Sequence, residues 1–500
     1  MVKSQRFLIL LVAVLSLVFA APASAADLFL NDEPEVYAAI DKLNALGYLP
    51  GLLANKRPYS LQAVRAAVRT VSRTTAATSF EGELLRWVNF YVTPKQMGRV
   101  TTAVAFSDTR FTPDNSEGIP IPDGWSGRAS LGLREETTPL VSGQLRTTYF
   151  YGEGGDNGGY LLDASLEVGK RFFAVQAGNI SSWYGPGRKG ALILTNNARP
   201  YPGVRIYNPV PIPLSGWFGF LGNVQYDFFA ARMERKELFS HSTFVGTRLA
   251  ARPAGWLEFG FSRALHYGGD GGDDNFFKYY FGSNDPPESS NTLGGFDVTL
   301  TLPFSFQPVQ AYMERGAEDS SAVGSIFIPW DDRFANLFGV YFPKVLGISR
   351  LDLRAEYADT FYGTNKGDNW YGHPSYPHQY RGEILGHAMG GSARDWFFES
   401  RYFFLPAAYA DVSFERVLHD SESIRGERRS LFSWGLTGWL TKAWRAEARA
   451  TVEHVSNQGG VTNADGTSFS AWFSLAYQVD MLYGEDYSED PRREYRRSVE

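Results

Sequence analysis

The chain has 500 residues and a net charge of −6, from 48 Lys and Arg against 54 Asp and Glu. The lack of a basic tract argues against a nucleic-acid partner, and the lack of any cysteine excludes disulfides, thiolate metal centres and a lipobox anchor. Aromatic residues reach 15%, with 37 Phe, 27 Tyr and 12 Trp, an excess suited to rings at a membrane–water boundary.

Residues 1–25 read as a secretory signal. Lys3 and Arg6 give the positive start, Phe7 to Ala20 the apolar stretch, and Ala23-Ser24-Ala25 the small-residue cleavage site. That stretch is too short for a permanent helical anchor, and no later segment offers the roughly 18 consecutive apolar residues a membrane helix needs. Residues 26–95 are expected to form a periplasmic helical region. Val36, Ile40 and Leu43 recur at helical spacing before Gly47, and Ser60 is placed as an N-cap for Leu61, Val64, Val68 and Val71. Leu84, Leu85 and Val88 suggest a third short helix before Pro94. So short a region makes a poor independent core, and it is expected to pack against the periplasmic end of a barrel formed by the rest of the chain.

From residue 96 to residue 480 the pattern changes to short runs that alternate apolar and polar. In Arg445–Glu453, Ala446, Ala448, Ala450 and Val452 share one parity, and Arg445, Glu447, Arg449, Thr451 and Glu453 the other. Successive strand side chains point to opposite faces, so such a run has one apolar wall and one charged wall. The same segregation recurs in Ser126–Arg134, Leu257–Ser262, Phe296–Leu302, Leu351–Tyr357 and Phe469–Gln478. A charge on the lipid face at mid-bilayer costs about 2–4 kcal/mol, so the parity acts as a selection rule. The fold class this implies is an all-β transmembrane protein, an antiparallel β-barrel in the outer membrane.

Loop lengths give the strand count. Leu440–Ala443, Pro406–Ala407, Pro303–Pro308 and Arg252–Gly255 read as tight periplasmic turns. The long outside loops are Asp108–Trp125, Arg235–His241, His266–Leu293, Gly316–Phe334, Ala358–Asp395, His419–Arg428 and Asn457–Thr467. The forward and backward readings agree only if one more strand lies between Ile180 and Phe220, near Gly203–Pro209. The total is then about eighteen, an even number as bacterial single-chain barrels require. Residues 481–500 lack an apolar period and are expected to be a disordered polar tail. Barrels commonly finish on an aromatic residue, so here either the insertion signal is internal, near Tyr477 or Tyr483, or its recognition differs.

Chemistry-bearing motifs are sparse. With seven His and no Gly-x-Ser-x-Gly elbow or His-Glu-x-x-His helix in a suitable context, the chain is read as a non-enzyme without cofactor or metal. Gly268–Asp274 is acidic but lacks the spacing and closing Glu of a calcium loop. His373 and His378 have no third ligand placed beside them. Trp183–Gly187 is a tight turn that either folds into the barrel with aromatic faces open to sugar rings or serves as a structural clasp. Trp370, Tyr371, His373, Tyr376, His378 and Tyr380 suit carbohydrate or the headgroup layer equally. The mixed-sign stripe of Arg445, Glu447, Arg449 and Glu453 favours an occluded interior over an ion-selective pore, which would carry one sign.

Trp183-Tyr184-Gly185-Pro186-Gly187, Leu192-Ile193-Leu194-Thr195-Asn196-Asn197-Ala198 and Pro202-Gly203-Val204-Arg205-Ile206 resemble the Wzi family of capsule-assembly outer-membrane proteins. The helical lead-in and the stretch Tyr380-Arg381, Leu385-Gly386-His387 and Gly390 resemble it too. The resemblance implies an occluded eighteen-stranded barrel with a periplasmic helical bundle, which attaches capsular or extracellular polysaccharide at the surface of the outer membrane. The candidates for polysaccharide contact are Trp183, Tyr184, Arg188, Asn196, Asn197, Arg205, Trp370, Tyr371 and Tyr376. Partners would be surface polysaccharide and outer-membrane lipid, with periplasmic or capsule-export proteins compatible. A solute-conducting porin and an outer-membrane hydrolase stand as alternatives.

Overall fold

The computed structural model describes residues 26–71, 79–93, 96–138, 140–234, 239–281, 289–318, 334–361, 370–419 and 426–481. The signal segment and the residues 482–500 expected to form a tail lie outside the described residues. Among the described residues three helices come first: α1 (Pro34–Ala45), α2 (Leu61–Val71) and α3 (Phe80–Val92). Gly47 ends α1 with φ +82°, a conformation open to glycine. Ser79 caps α3 by accepting the Gly82 N–H at 3.0 Å.

Among the described residues eighteen long strands then form one closed antiparallel barrel, to which the two-residue strand Ile212–Pro213 adds a short pairing at Asn223 and Val224. The first six are β1 (Gln96–Ser107), β2 (Gly124–Thr138), β3 (Val141–Gly152), β4 (Asn157–Lys170), β5 (Phe173–Ile180) and β6 (Tyr201–Tyr207). Next come β7 (Asn223–Arg232), β8 (Thr243–Ala254), β9 (Leu257–Tyr267), β10 (Ser290–Leu302), β11 (Val309–Glu318) and β12 (Ala335–Phe342). The last are β13 (Leu351–Asp359), β14 (Ala393–Leu405), β15 (Ala408–His419), β16 (Arg428–Trp439), β17 (Trp444–Ser456) and β18 (Gly466–Met481). The ring closes where β1 pairs with β18, Val100 opposite Tyr477 and Ser107 opposite Ser470.

The strand inferred from parity of count is β6, paired to β5 on one side and β7 on the other. Three expected turns fall where the sequence places them, at Leu440–Ala443, Pro406–Ala407 and Pro303–Pro308. The fourth moves: an irregularity in the β8–β9 pairing carries β8 to Ala254, so the turn is Gly255–Trp256. Two further connections at this end are longer, residues 208–222 and 343–350. The first contains no charged residue, and Trp217, Phe218 and Phe220 stand exposed on it as an interfacial belt would require.

The parity rule holds on the wall. Phe432, Trp434 and Leu436 are exposed on the outer face of β16, and Phe473 and Tyr477 on that of β18. Arg445, Asp411, Asp297 and Arg248 are buried on the lumenal side. The helical residues 26–71 and 79–93 plug the short-turn end. Their core, including Val36, Ile40, Leu43, Val64, Val68, Leu84 and Trp87, packs against Phe403, Ala407 and Tyr409 of the wall.

Ion pairs key the plug to the barrel. Glu33 meets Arg134 at 3.2 Å and Arg99 at 3.8 Å. Glu35 takes Arg445 Nε and Trp439 Nε1, each at 3.0 Å. Asp27 meets Arg205 at 3.2 Å, and Asn55 donates to Asp297 at 2.9 Å. Lys42 sits 3.7 Å from Asp352, and burial pushes its ammonium down to about 8.

Candidate functional site

Two loops fold into the lumen and divide it. Residues 181–200, between β5 and β6, descend far enough for Gly185 N–H to donate to Asn55 O of the plug at 2.9 Å. Trp183 and Tyr184 pair with Arg57 and Lys56 as a two-residue ribbon. Residues 370–392, from the loop between β13 and β14, lie over them. Leu192, Ile193, Leu194, Trp370, Tyr371, Tyr380, Leu385 and Met389 form one buried cluster with Phe229, Phe244, Tyr312, Leu337 and Tyr341 of the wall. Each such side chain contributes roughly 1.5–3 kcal/mol on burial, enough to hold loops whose ladders are only two residues long. Side chains fill most of this half of the lumen.

All nine sequence-derived candidates lie in or beside this packing. Trp183 is buried with its ring 5.8 Å from the Arg57 guanidinium, and Tyr184 donates its hydroxyl to Asp227 at 2.6 Å. Arg188 binds Asp41 of the plug at 2.7 Å, and its N–H reaches Glu356 at 2.8 Å. Burial would raise the Asp41 carboxyl, but Arg188, Arg57 and Arg354 hold it below its ordinary value. Asn196 donates to Asn31 of the plug and to Asn115 O, while Asn197 donates to Ile384 O at 3.2 Å. Arg205 stands lower, against Asp227 at 2.7 Å and Asp27. Tyr371 donates to Leu192 O at 2.6 Å, and the Trp370 ring packs over Gly316. Tyr376 sits apart at the outer rim, stacked on Phe239 at 4.9 Å and donating to Gly268 O at 3.0 Å.

The exposed aromatic surface expected of the long loop is therefore a buried one, since stacking on the wall removes more apolar area than facing water does. Trp370, Tyr371 and Tyr376 are at most 3% exposed. His378 turns its Nε2 to Ile193 O at 2.8 Å, and burial pushes the ring down to about 4. Among the described residues no group of three or more metal-ligating side chains comes together.

The other half of the lumen stays open. A cavity of about 350 Å³ runs between the loop 108–123 and the wall of β1–β3, β17 and β18, with Asn31 and Asp32 of the plug on its floor. A second, of about 280 Å³, lies toward the outer mouth. Pro113, Asp114 and Arg449 line both, so the tip of one loop separates them.

The outer cleft offers a distinctive set of groups. Phe111, Phe397 and Leu431 supply apolar faces, and Ser413, Ser433, Thr451, Ser468 and Ser470 supply hydroxyls. Lys189 bridges Asp114 at 2.7 Å and Glu415 at 2.6 Å; burial opposes its charge, but these carboxylates raise its pKa. Arg429 pairs with Glu453 at 2.6 Å, and that pair is partly exposed. Charges of both signs, hydroxyls and flat apolar faces together can hydrogen-bond and stack a hydroxylated, weakly apolar ligand. Sequence reasoning did not single out this cleft. Parity placed Thr451, Glu453 and Ser470 inside, but Asp114 and Lys189 join them only through the fold of two loops.

The chain matches the family model "Capsule assembly protein Wzi" over residues 94–468. It is 29% identical over 233 residues to an uncharacterized 55.8 kDa protein of the cps region of Klebsiella pneumoniae, a match covering 43% of this chain. The chain thus spans about 45% of the length of that curated relative. Among solved structures it resembles Wzi of Escherichia coli, described as an outer-membrane protein of group 1 capsule assembly and a carbohydrate-binding β-barrel. That likeness has a TM-score of 0.73 at 19% identity, covering 92% of this chain and all of the other.

Proposed function

Because the chain belongs to the Wzi family of capsule-assembly outer-membrane proteins, we propose that it attaches capsular or extracellular polysaccharide to the cell surface by binding, without catalysing a reaction. The observation that carries this reading is the outer cleft, a partly exposed pocket with hydroxyls, paired charges and apolar faces over a lumen whose far end is plugged. A polysaccharide offers hydroxyls along its length and apolar patches on its ring faces, and those are the groups the cleft matches. Trp183, Tyr184, Arg188, Asn196 and Asn197 serve in this reading as positioning residues, because they fix the two loops that line the cleft. Trp183, Tyr184 and Arg188 set the depth at which Lys189 stands, and Asn196 and Asn197 hold the loop carrying Asp114.

Two measurements test the reading. Removing the gene should shift capsular or exopolymer material from cell-bound to shed while its synthesis continues. Restoring the chain with Arg429→Ala and Phe111→Ala together should leave the barrel in the membrane and fail to restore retention, with at least a tenfold loss of affinity for purified surface polysaccharide. Unchanged cell-bound polysaccharide in the deletion strain would remove the proposal; unchanged binding by the double variant would move the site away from the cleft.

A further inference from the structure

The loop after β9 behaves unlike those that enter the lumen. It turns back over the outside of the barrel, where Phe276–Phe281 forms a short helix, α4. On β7, β8 and β9 the lumenal residues are Asp227, Arg248 and Ser262, so Phe228, Val245, Thr247, Leu249, Phe261, Arg263 and Leu265 face outward. Leu249 and Phe261 are 55% and 44% exposed, as a lipid-facing wall should be. Nearer the outer rim, Val245 and Leu265 are at most 1% exposed, because Tyr279, Phe276 and Tyr280 pack on them.

What α4 covers is polar as well. Arg263 donates to Tyr280 O at 2.6 Å and lies 4.8 Å from the Tyr280 ring, whose hydroxyl is 2.9 Å from Thr247 Oγ1. A guanidinium on the lipid face is among the costliest groups a barrel can carry. The helix accepts its two Nη groups at the Tyr280 and Tyr279 carbonyls and presents Phe277 and Phe281 in its place, 73% and 74% exposed. Arg263 lies four residues below the end of β9, about 10 Å in height for a tilted strand, which is within the outer half of an apolar band ~25 Å tall.

We infer that α4 lies in the outer leaflet, with Phe277 and Phe281 among the acyl chains of the surrounding lipid. Continuity with the exposed wall at Leu249 and Phe261 selects that occupant. An anionic protein partner is disfavoured, since the neighbouring cations already face carboxylates: Lys278 meets Asp273 at 3.0 Å, and Arg232 meets Asp274 at 3.9 Å. The inference is independent of any polysaccharide site.

The absence of native cysteine makes the test direct. A nitroxide on Phe277→Cys or, separately, Phe281→Cys is followed in the full chain, reconstituted in phosphatidylethanolamine–phosphatidylglycerol vesicles. Collisions with lipid-soluble oxygen should exceed those with an aqueous nickel chelate at both positions. Adding Tyr280→Ala should reverse the ratio by freeing the helix. A label more accessible to nickel without that change would overturn the inference, as would one shielded from both probes with dipolar coupling between copies. An unchanged ratio on adding Tyr280→Ala would overturn the clamp.

Discussion

Gly190 has no space for a side chain: a Cβ there would stand 2.2 Å from the His387 ring. Gly190→Ala should therefore part the two lumenal loops, at a cost of about 1–3 kcal/mol, and speed proteolysis within residues 370–392. The same contact makes loop docking sensitive to pH. Burial pushes His378 down to about 4, and burial with the nearby Lys189 pushes His387 down to about 3. An exposed imidazole titrates near ~6.5, so the docked loop binds fewer protons than the free one. The docking contribution is complete above that pH and drains away as pH falls toward 4. Hydrogen exchange in residues 370–392 should rise over that interval, and His387→Gln should flatten the rise. At this scale the sequence disclosed the strand charges, because their neighbours fix their parity. It did not disclose that Trp370 and Tyr371 are buried, because a loop has no period from which a facing direction can be read.

Elements were legible in proportion to their regularity. The long alternating strands, such as β17, announce themselves, and even β6 emerged from the need for an even count. The irregular end of β8 and the connection at 208–222 did not, since a bulge and a run rich in proline erase the alternation. The plug is held less by its own helices than by their counterions. Glu33→Ala would leave Arg99 and Arg134 buried without their carboxylate, a loss of roughly 3–5 kcal/mol. Lower urea concentrations should then release residues 26–93 to protease while the barrel keeps its heat-modifiable mobility.

For the molecule as a whole, the fold followed from one rule, that lipid accepts only apolar walls, and the eighteen-strand count agrees with it. Occlusion could be argued from mixed-sign charges, but the division of the lumen into a filled half and an open half could not, because it depends on which loops turn inward. With the plug at one end and the loops in the middle, the intact chain should pass only small, brief currents in a planar bilayer. A large steady conductance would favour a porin instead.

The pairing of β1 with β18 leaves the circumference unfinished until the final strand takes its place, yet the plug precedes every strand in the chain. Asp27, Glu33 and Glu35 tie that plug to arginines on four separate staves, β6, β1, β2 and β17, so hoop and stopper hold one another in register.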